Sequence, residues 1–385
     1  DILCNLTQLD FKWLYNKRYF YVGGYSLNLK IKNKVSKNYR NILILLVAIV
    51  LLISWLKTIS PKSIKVEQES YKLGTIVRLT LYGADREKLE RVMENAMSEI
   101  SRYEGLFSVN IRTSEISKIN SGEQSIVSEE TVRIITDSLK YAEDTNGAFD
   151  PTIGAIVKLW GIGTESARLP EKIEVDALLP YVGYKKVCLT KDMVIIGENQ
   201  SLDLGGIAKG WIADRLAENI KKEGISSALI DLGGNIAVVG KAPQNRAWRL
   251  GLQHPKSPRG RYFAVIDAID TSVVTSGPYE RYFEENGVIY HHIFDPSSGH
   301  PSNSDLESVT IISKNSAEAD ALCTAFFIMG EKKSIEFLNL HKNIQAVLVV
   351  KNCERAIITE RLKKSFTIKD PAIRVDVIGE KDETR

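Results

Sequence analysis

From Tyr71 onward, two kinds of apolar pattern follow one another without steady alternation, and that irregularity is the strongest limit on what the chain can fold into. Val77, Leu79 and Leu81 recur every second position against Arg78 and Thr80, the mark of a half-buried strand. Leu89, Val92, Met93, Ala96, Ile100 and Tyr103 then mark one helical stripe over 85–104, and Val132, Ile135, Leu139 and Ala142 a second over 129–144. Strand-like runs recur at 186–189, 193–196, 228–232, 236–239, 248–252, 264–269, 273–275, 309–312 and 346–350. Helical patterns recur at 208–223, 316–329 and 333–340. Helices interspersed irregularly among strands argue for an α+β fold.

Before this region stands Ile42 to Leu56, fifteen residues with no charge, preceded by Lys30, Lys32, Lys34, Lys37 and Arg40. A spanning helix needs about 20 apolar residues. Here Lys57 can snorkel and Trp55 suits an interface, so a membrane anchor is expected. No small-x-small site follows for cleavage of a signal peptide. The basic flank would keep residues 1–41 cytoplasmic and send the rest across the membrane. The expected organisation is therefore an extension (1–41), an anchor (42–56), a linker (57–70), a globular domain (71–368) and a frayed, charged tail (369–385).

A net charge of +3 without a basic stripe argues against nucleic acid as a partner. Cys4, Cys188, Cys323 and Cys353 have neither metal nor disulfide spacing, and Cys323 reads as a small buried hydrophobe.

Four segments carry chemistry. In 319–330, Asp320 and Thr324 sit four residues apart within an apolar helix, so both would face one side and offer oxygen to a hard cation such as Mg²⁺. The plainer alternative has Thr324 bonded back to its own helix and Asp320 exposed in the first turn. In 202–214, two glycines lead into a helix with Lys209 one turn in, a setting for phosphate, though not a Walker A loop; an ordinary strand-to-helix turn would look the same. Asp231 to Gly234 reads as a hairpin turn, with Asn235 after it. In 290–300, three of the five histidines cluster; His291 and His292 would face opposite ways if extended, and Asp295-Pro296 can simply start a turn that Gly299 closes. In 146–163, Phe149 and Asp150 stand in a Gly-rich stretch that could hold a ring and a ribose, or serve as core and cap.

In order and spacing these segments resemble the ApbE flavin transferases, which move FMN from FAD onto a protein hydroxyl. The likeness runs from Leu73 to about Ile368, through Leu-Gly-Thr at 73, Phe-Ser at 107, Gly-Ala-Phe-Asp at 147, Asp-Leu-Gly-Gly-Ile-Ala-Lys-Gly at 203, Thr-Ser-Gly at 275, His-Ile-Phe-Asp-Pro at 292 and Ala-Asp-Ala at 319. It implies an α+β ApbE fold with FAD in a cleft and Mg²⁺ beside its pyrophosphate. Ala148, Phe149, Asp150, Asp203, Lys209 and Ile293 would contact FAD. Asp320 and Thr324, with the carbonyls of Gly206 and Cys323, would hold the metal.

Leu73 and Asn110 fall where the family commonly has Met and Tyr against the flavin, so a stacking partner is missing. Pro278 and Ser298 replace a common Asp and Thr. His292 is the expected proton acceptor, with Asp295 as a substitute. The acceptor would be a membrane or exported redox protein with a Ser/Thr-containing motif. A metal-dependent FAD pyrophosphatase and a non-catalytic FAD-binding protein are the rival expectations.

Overall fold

The computed structural model describes residues 20–22, 25–27, 42, 45–49 and 63–378. Contacts divide the chain into two units, Asp1–Lys62 and Ser63–Arg385. In the first, Phe20–Val22 and Tyr25–Leu27 pair as antiparallel strands. The anchor expected over 42–56 lies largely outside the described residues. Among the described residues, no helix is long and apolar enough to cross a membrane.

The second unit is organised by a nine-stranded sheet whose strands lie side by side in chain order. They are β1 (Ile64–Lys72), β2 (Thr75–Gly83), β3 (Ser227–Leu232), β4 (Asn235–Gly240), β5 (Thr271–Ser276), β6 (Leu306–Ser313), β7 (Gln345–Val350), β8 (Arg355–Thr359) and β9 (Arg374–Ile378). Every neighbouring pair is antiparallel except β8 and β9. Helices and smaller hairpins are inserted between strands, which is why the sequence shows no regular βαβ rhythm. The α+β expectation holds.

Two boundaries move. The linker expected over 57–70 ends before Ile64, because β1 pairs with β2 along its whole length from Ile64↔Gly83 to Lys72↔Thr75. The tail expected to fray instead supplies β9, held parallel to β8 from Arg355↔Arg374 to Thr359↔Ile378. Both are edge strands, and both carry charged residues, as a solvent-exposed sheet edge favours.

The sheet is covered on both faces. One face carries the helices α1 (Arg86–Phe107), α2 (Glu115–Ser121), α3 (Glu129–Asp144), α6 (Ala208–Lys222) and α7 (Ser316–Leu340), while α4 (Gly154–Trp160) and α5 (Lys172–Leu178) form a small separate core in which Ile156, Trp160 and Val175 join Phe294. Leu79, Leu81, Ile230, Val309 and Ile311 meet Leu89, Ile100, Ile134, Ile212, Leu216 and Phe326 in the main core. Against the other face packs a three-stranded sheet of Trp248–Gln253, Tyr262–Ala268 and Phe366–Ile368, where Leu250, Phe263 and Ile266 meet Val238, Val273, Ile312 and Val347. A buried side chain of this size contributes about 1.5–3 kcal/mol.

α7 is apolar on nearly every side because it is nearly surrounded, with Ala319, Ala321, Cys323, Ala325 and Phe326 unexposed. Gly330, at φ 75°, interrupts it, and Asp305 Oδ1 accepts the Glu331 N–H at 2.8 Å to restart it. Hence the two separate helical patterns in the sequence. Residues 146–163, expected as a Gly-rich loop, instead contain α4, which ends at Gly161 in the left-handed conformation (φ 62°).

Candidate functional site

A cleft opens between α6, α7, the β4 and β5 strands, the β1–β2 turn and the segment 292–296. Two helices fix its floor. Gly210 in α6 lies so close to α7 that an added Cβ would stand 2.2 Å from the Ser316 carbonyl oxygen, and its N–H donates to Asp320 Oδ2 at 2.9 Å. Asp320 is 4% exposed and this is its carboxylate's one hydrogen bond among the described residues. The expectation of an exposed first-turn aspartate is thereby excluded. Thr324 Oγ1 does bond back to the Asp320 carbonyl, at a long 3.4 Å, and stands against Gly206, where a Cβ would meet it at 3.3 Å. Asp320, Thr324 and Gly206 are thus gathered on one wall. Cys323 points away, its thiol donating to the Val274 carbonyl at 3.0 Å, and burial holds it in the protonated form, so only its backbone could serve the cleft.

Those donors are a carboxylate, a hydroxyl and backbone carbonyls, the hard oxygen set that Mg²⁺ takes. Among the described residues no group of three His, Cys, Asp or Glu side chains is assembled. Charge bears on the same point. Asp150, Asp203, Glu280 and Asp320 line the cleft against Lys209 and Arg281. Glu280 is engaged by Arg259 at 2.8 Å, yet three carboxylates still face two cations.

The neighbouring wall is the turn before α6. Asp203 Oδ1 accepts the Gly205 N–H at 2.7 Å, and burial raises its carboxyl above the usual range while Arg281 and Lys209 oppose that rise. α6 begins without a side-chain cap, so its positive end faces the cleft. Lys209 Nζ rests against the Gly205 carbonyl at 3.4 Å. Ala148, Phe149 and Ile293 contribute the apolar lining. Asp150 also lines the cleft, but its carboxylate is committed: Oδ1 accepts from Thr152 N and Oγ1 at 2.8 and 2.6 Å, and Oδ2 from Tyr184 N at 3.0 Å.

His291 and His292 do face different ways. His291 is buried, accepts the Ile293 N–H at Nδ1 (3.3 Å), donates from Nε2 to the Ser302 carbonyl (3.0 Å) and sets its ring against Phe327. His292 lines the cleft. Its Nδ1 lies 3.1 Å from the Arg281 carbonyl, which can only accept, so the proton sits on Nδ1 and the Nε2 lone pair is free. Burial, aided by Arg281 and Lys209, pushes its pKa down to about 3, so the ring is neutral at ordinary pH. The segment is held by Trp160, fully buried, whose Nε1 donates to the Gly299 carbonyl at 3.0 Å and whose ring meets Tyr290 and Phe294.

Besides Cys323, three expected residues are absent from the cleft lining. Asp295 caps its own turn, Oδ1 accepting from Ser297 N (2.9 Å) and Oγ (2.7 Å), and is not part of the cleft lining. The turn reading of Asp295-Pro296 is the right one. Leu73, at φ 54°, donates its N–H to Glu104 at 2.8 Å and packs on the core, while Thr75 two residues on lines the cleft. Asn110 is an exposed residue of the turn after α1. Sequence reasoning missed Arg281, whose guanidinium reaches across to the Gly74 carbonyl at 3.1 Å.

A 33% identical relative from Treponema pallidum, named FAD:protein FMN transferase, aligns over 297 residues, 72% of this chain and 82% of its own. A 35% identical relative of the same name from Klebsiella pneumoniae covers 73% and 87%. The crystal structure of the ApbE protein from Thermotoga maritima superposes with a TM-score of 0.70 at 32% identity, over 75% of this chain and 95% of that one. The model of the ApbE family matches residues 73–348, and the chain belongs to that family.

Proposed function

We propose that this protein transfers FMN from FAD to a Ser or Thr hydroxyl of an acceptor protein and releases AMP. One observation carries the reading: a neutral His292 with a free Nε2 faces the same cleft as Lys209, Arg281 and the Asp320–Thr324–Gly206 oxygens. In the step, the acceptor oxygen bonds to the FMN phosphorus, the bond from that phosphorus to the bridging oxygen breaks, and AMP leaves with that oxygen. The hydroxyl proton passes to His292 Nε2. Lys209 and Arg281 neutralise phosphoryl oxygens, where charge stabilisation does most of the work. Asp320, Thr324 and the carbonyls of Gly206 and Cys323 would hold Mg²⁺, which when bound supplies Lewis-acid charge neutralisation.

The apolar run 42–56 with its basic flank supports an anchored enzyme with residues 1–41 cytoplasmic and the catalytic unit on the outer side, where a membrane or exported redox protein would be the acceptor. The test is to incubate the full-length chain with FAD, Mg²⁺ and a protein carrying an exposed Ser/Thr-Gly-Ala segment, and weigh that protein. A gain of one FMN phosphoester supports the proposal. Unmodified acceptor with free FMN and AMP indicates hydrolysis, and intact FAD indicates binding alone.

A further inference from the structure

Four buried polar side-chain atoms among the described residues have no hydrogen-bond partner: Arg215 Nε, Ser227 Oγ, Asn235 Nδ2 and Trp248 Nε1. Of these four residues, only Asn235 lines the cleft. Its side chain is 1% exposed at the start of β4, directly after the Gly233–Gly234 turn. Ser316 Oγ donates to its Oδ1 at 2.8 Å, which turns Nδ2 away from α7's first residue. A buried donor left unpaired is costly and calls for a partner the protein itself does not supply. Ser316, Asp320 and Thr324 follow at four-residue spacing on one face of α7, so Asn235 is pinned one helical turn from the carboxylate of the oxygen set. A neutral donor there complements an anionic oxygen without adding charge of its own.

We infer that Asn235 is a ligand-positioning residue whose Nδ2 donates to an oxygen of the bound dinucleotide's diphosphate. This rests on the FAD reading above and assigns that site a donor which neither cation supplies. Ser316 acts through it, as the group that fixes the amide's orientation.

The experiment measures equilibrium binding by the full-length chain of FAD and riboflavin, through flavin fluorescence, and of ADP, through competition, together with the ligand-free melting temperature. Asn235→Leu and Asn235→Asp should each weaken FAD and ADP by about 10- to 100-fold. Riboflavin, which lacks phosphate, should bind as to wild type. The ligand-free melting temperature shows which variants fold, since the Leu variant removes the unpaired donor but also the acceptor of the buried Ser316 hydroxyl. Ser316→Ala should give a smaller loss, because the amide is then free to turn, and it serves if the Leu variant does not fold.

Unchanged FAD affinity in the folded Leu variant, or in Ser316→Ala should that be the one that folds, overturns the inference. So does wild-type affinity in Asn235→Asp, which would make the group an acceptor, and so does a loss confined to riboflavin and FAD with ADP unaffected. FAD binding that depends on Asn235 without any transfer leaves the inference standing and refutes the functional reading. Failure of wild type to bind FAD refutes both.

Discussion

Gly210→Ala tests whether the contact between α6 and α7 sets the site. Within a helix, replacing Gly by Ala ordinarily stabilises by about 1 kcal/mol. Here the new Cβ would stand 2.2 Å from the Ser316 oxygen, 2.6 Å from its carbonyl carbon and 2.8 Å from Asp320 Cβ. Two of those three atoms are backbone and cannot rotate away, so the helices must part by roughly 1 Å to restore van der Waals distance. Overpacking of this kind costs about 1–3 kcal/mol. Stretching the Gly210 N–H bond to the Asp320 carboxylate forfeits up to about 1.5–3 kcal/mol more. The clash outweighs the propensity gain, leaving a net loss of about 2–5 kcal/mol. For a unit this large that is a fall on the order of 5–15 °C in melting temperature, read by calorimetry. Gly105→Ala in α1 is the control, because an added Cβ there meets nothing within 4 Å; it should hold or raise stability. A Gly210→Ala protein as stable as wild type would show that the helices are not in the contact described.

Other perturbations separate charge from structure. Asp320→Ala should abolish Mg²⁺-dependent turnover, as should chelation of the metal, and undiminished activity in the variant would refute the metal site; Asp320→Asn, which keeps an oxygen for the Gly210 N–H, should lose the metal response while retaining the fold. His292→Gln should slow transfer by about 10²- to 10⁴-fold with FAD affinity retained. Because burial lowers the His292 pKa to about 3, NMR of the ligand-free protein should show its imidazole uncharged between pH 5 and 8, and a titration near 6.5 would contradict the geometry. Asp214, which accepts the Ser316 and Ala317 N–H groups at 2.8 and 2.9 Å, is raised to about 6 by burial. The native state then holds its proton more tightly than the unfolded one, so stability falls as pH rises from about 4 to about 6 and is flat above. Relative to Asp214→Asn, urea unfolding should register up to about 3 kcal/mol of that fall; a pH-independent difference between the two proteins would count against it.

How far the sequence could be read follows from how local each signal is. The stripes of α1, α3 and α6 were visible because each buries one long face against the sheet, and the two pieces of α7 because the helix is apolar on nearly every side. α5 was not, since its seven residues bury only Val175. β1 was hidden because at the sheet edge its residues alternate between half-buried and exposed with no unexposed apolar face. β9 was hidden by its charges and by a parallel pairing that no local pattern encodes. In the cleft, Asp320, Thr324, Lys209 and His292 were legible because carboxylate, hydroxyl, ammonium and imidazole stand out in apolar or Gly-rich company. Arg281 and Asn235 were not, since an arginine beside a hairpin and an asparagine after a glycine turn are ordinary residues until the fold aims them inward. Asp295 was the converse case: chemically suitable by type, but claimed by its own turn.

Arg281 sets the state of the His292 ring in the cleft. Its carbonyl accepts both the His292 N–H (3.2 Å) and Nδ1 (3.1 Å), fixing the tautomer, while its guanidinium and Lys209 disfavour the imidazolium. A base with so low an affinity for protons is a poor proton store, and a carboxylate in its place would be paired by the same two cations and withdraw them from the phosphates. A neutral ring leaves both cations to the ligand. Under the proposed reaction, the proton accepted from a hydroxyl would be held while negative charge stabilises the imidazolium, and the diphosphate whose bond breaks would add such charge to that of the carboxylates already lining the cleft. Proton transfer and bond cleavage would then be coupled through Arg281's backbone and side chain, and a loaded cleft would favour the protonated ring.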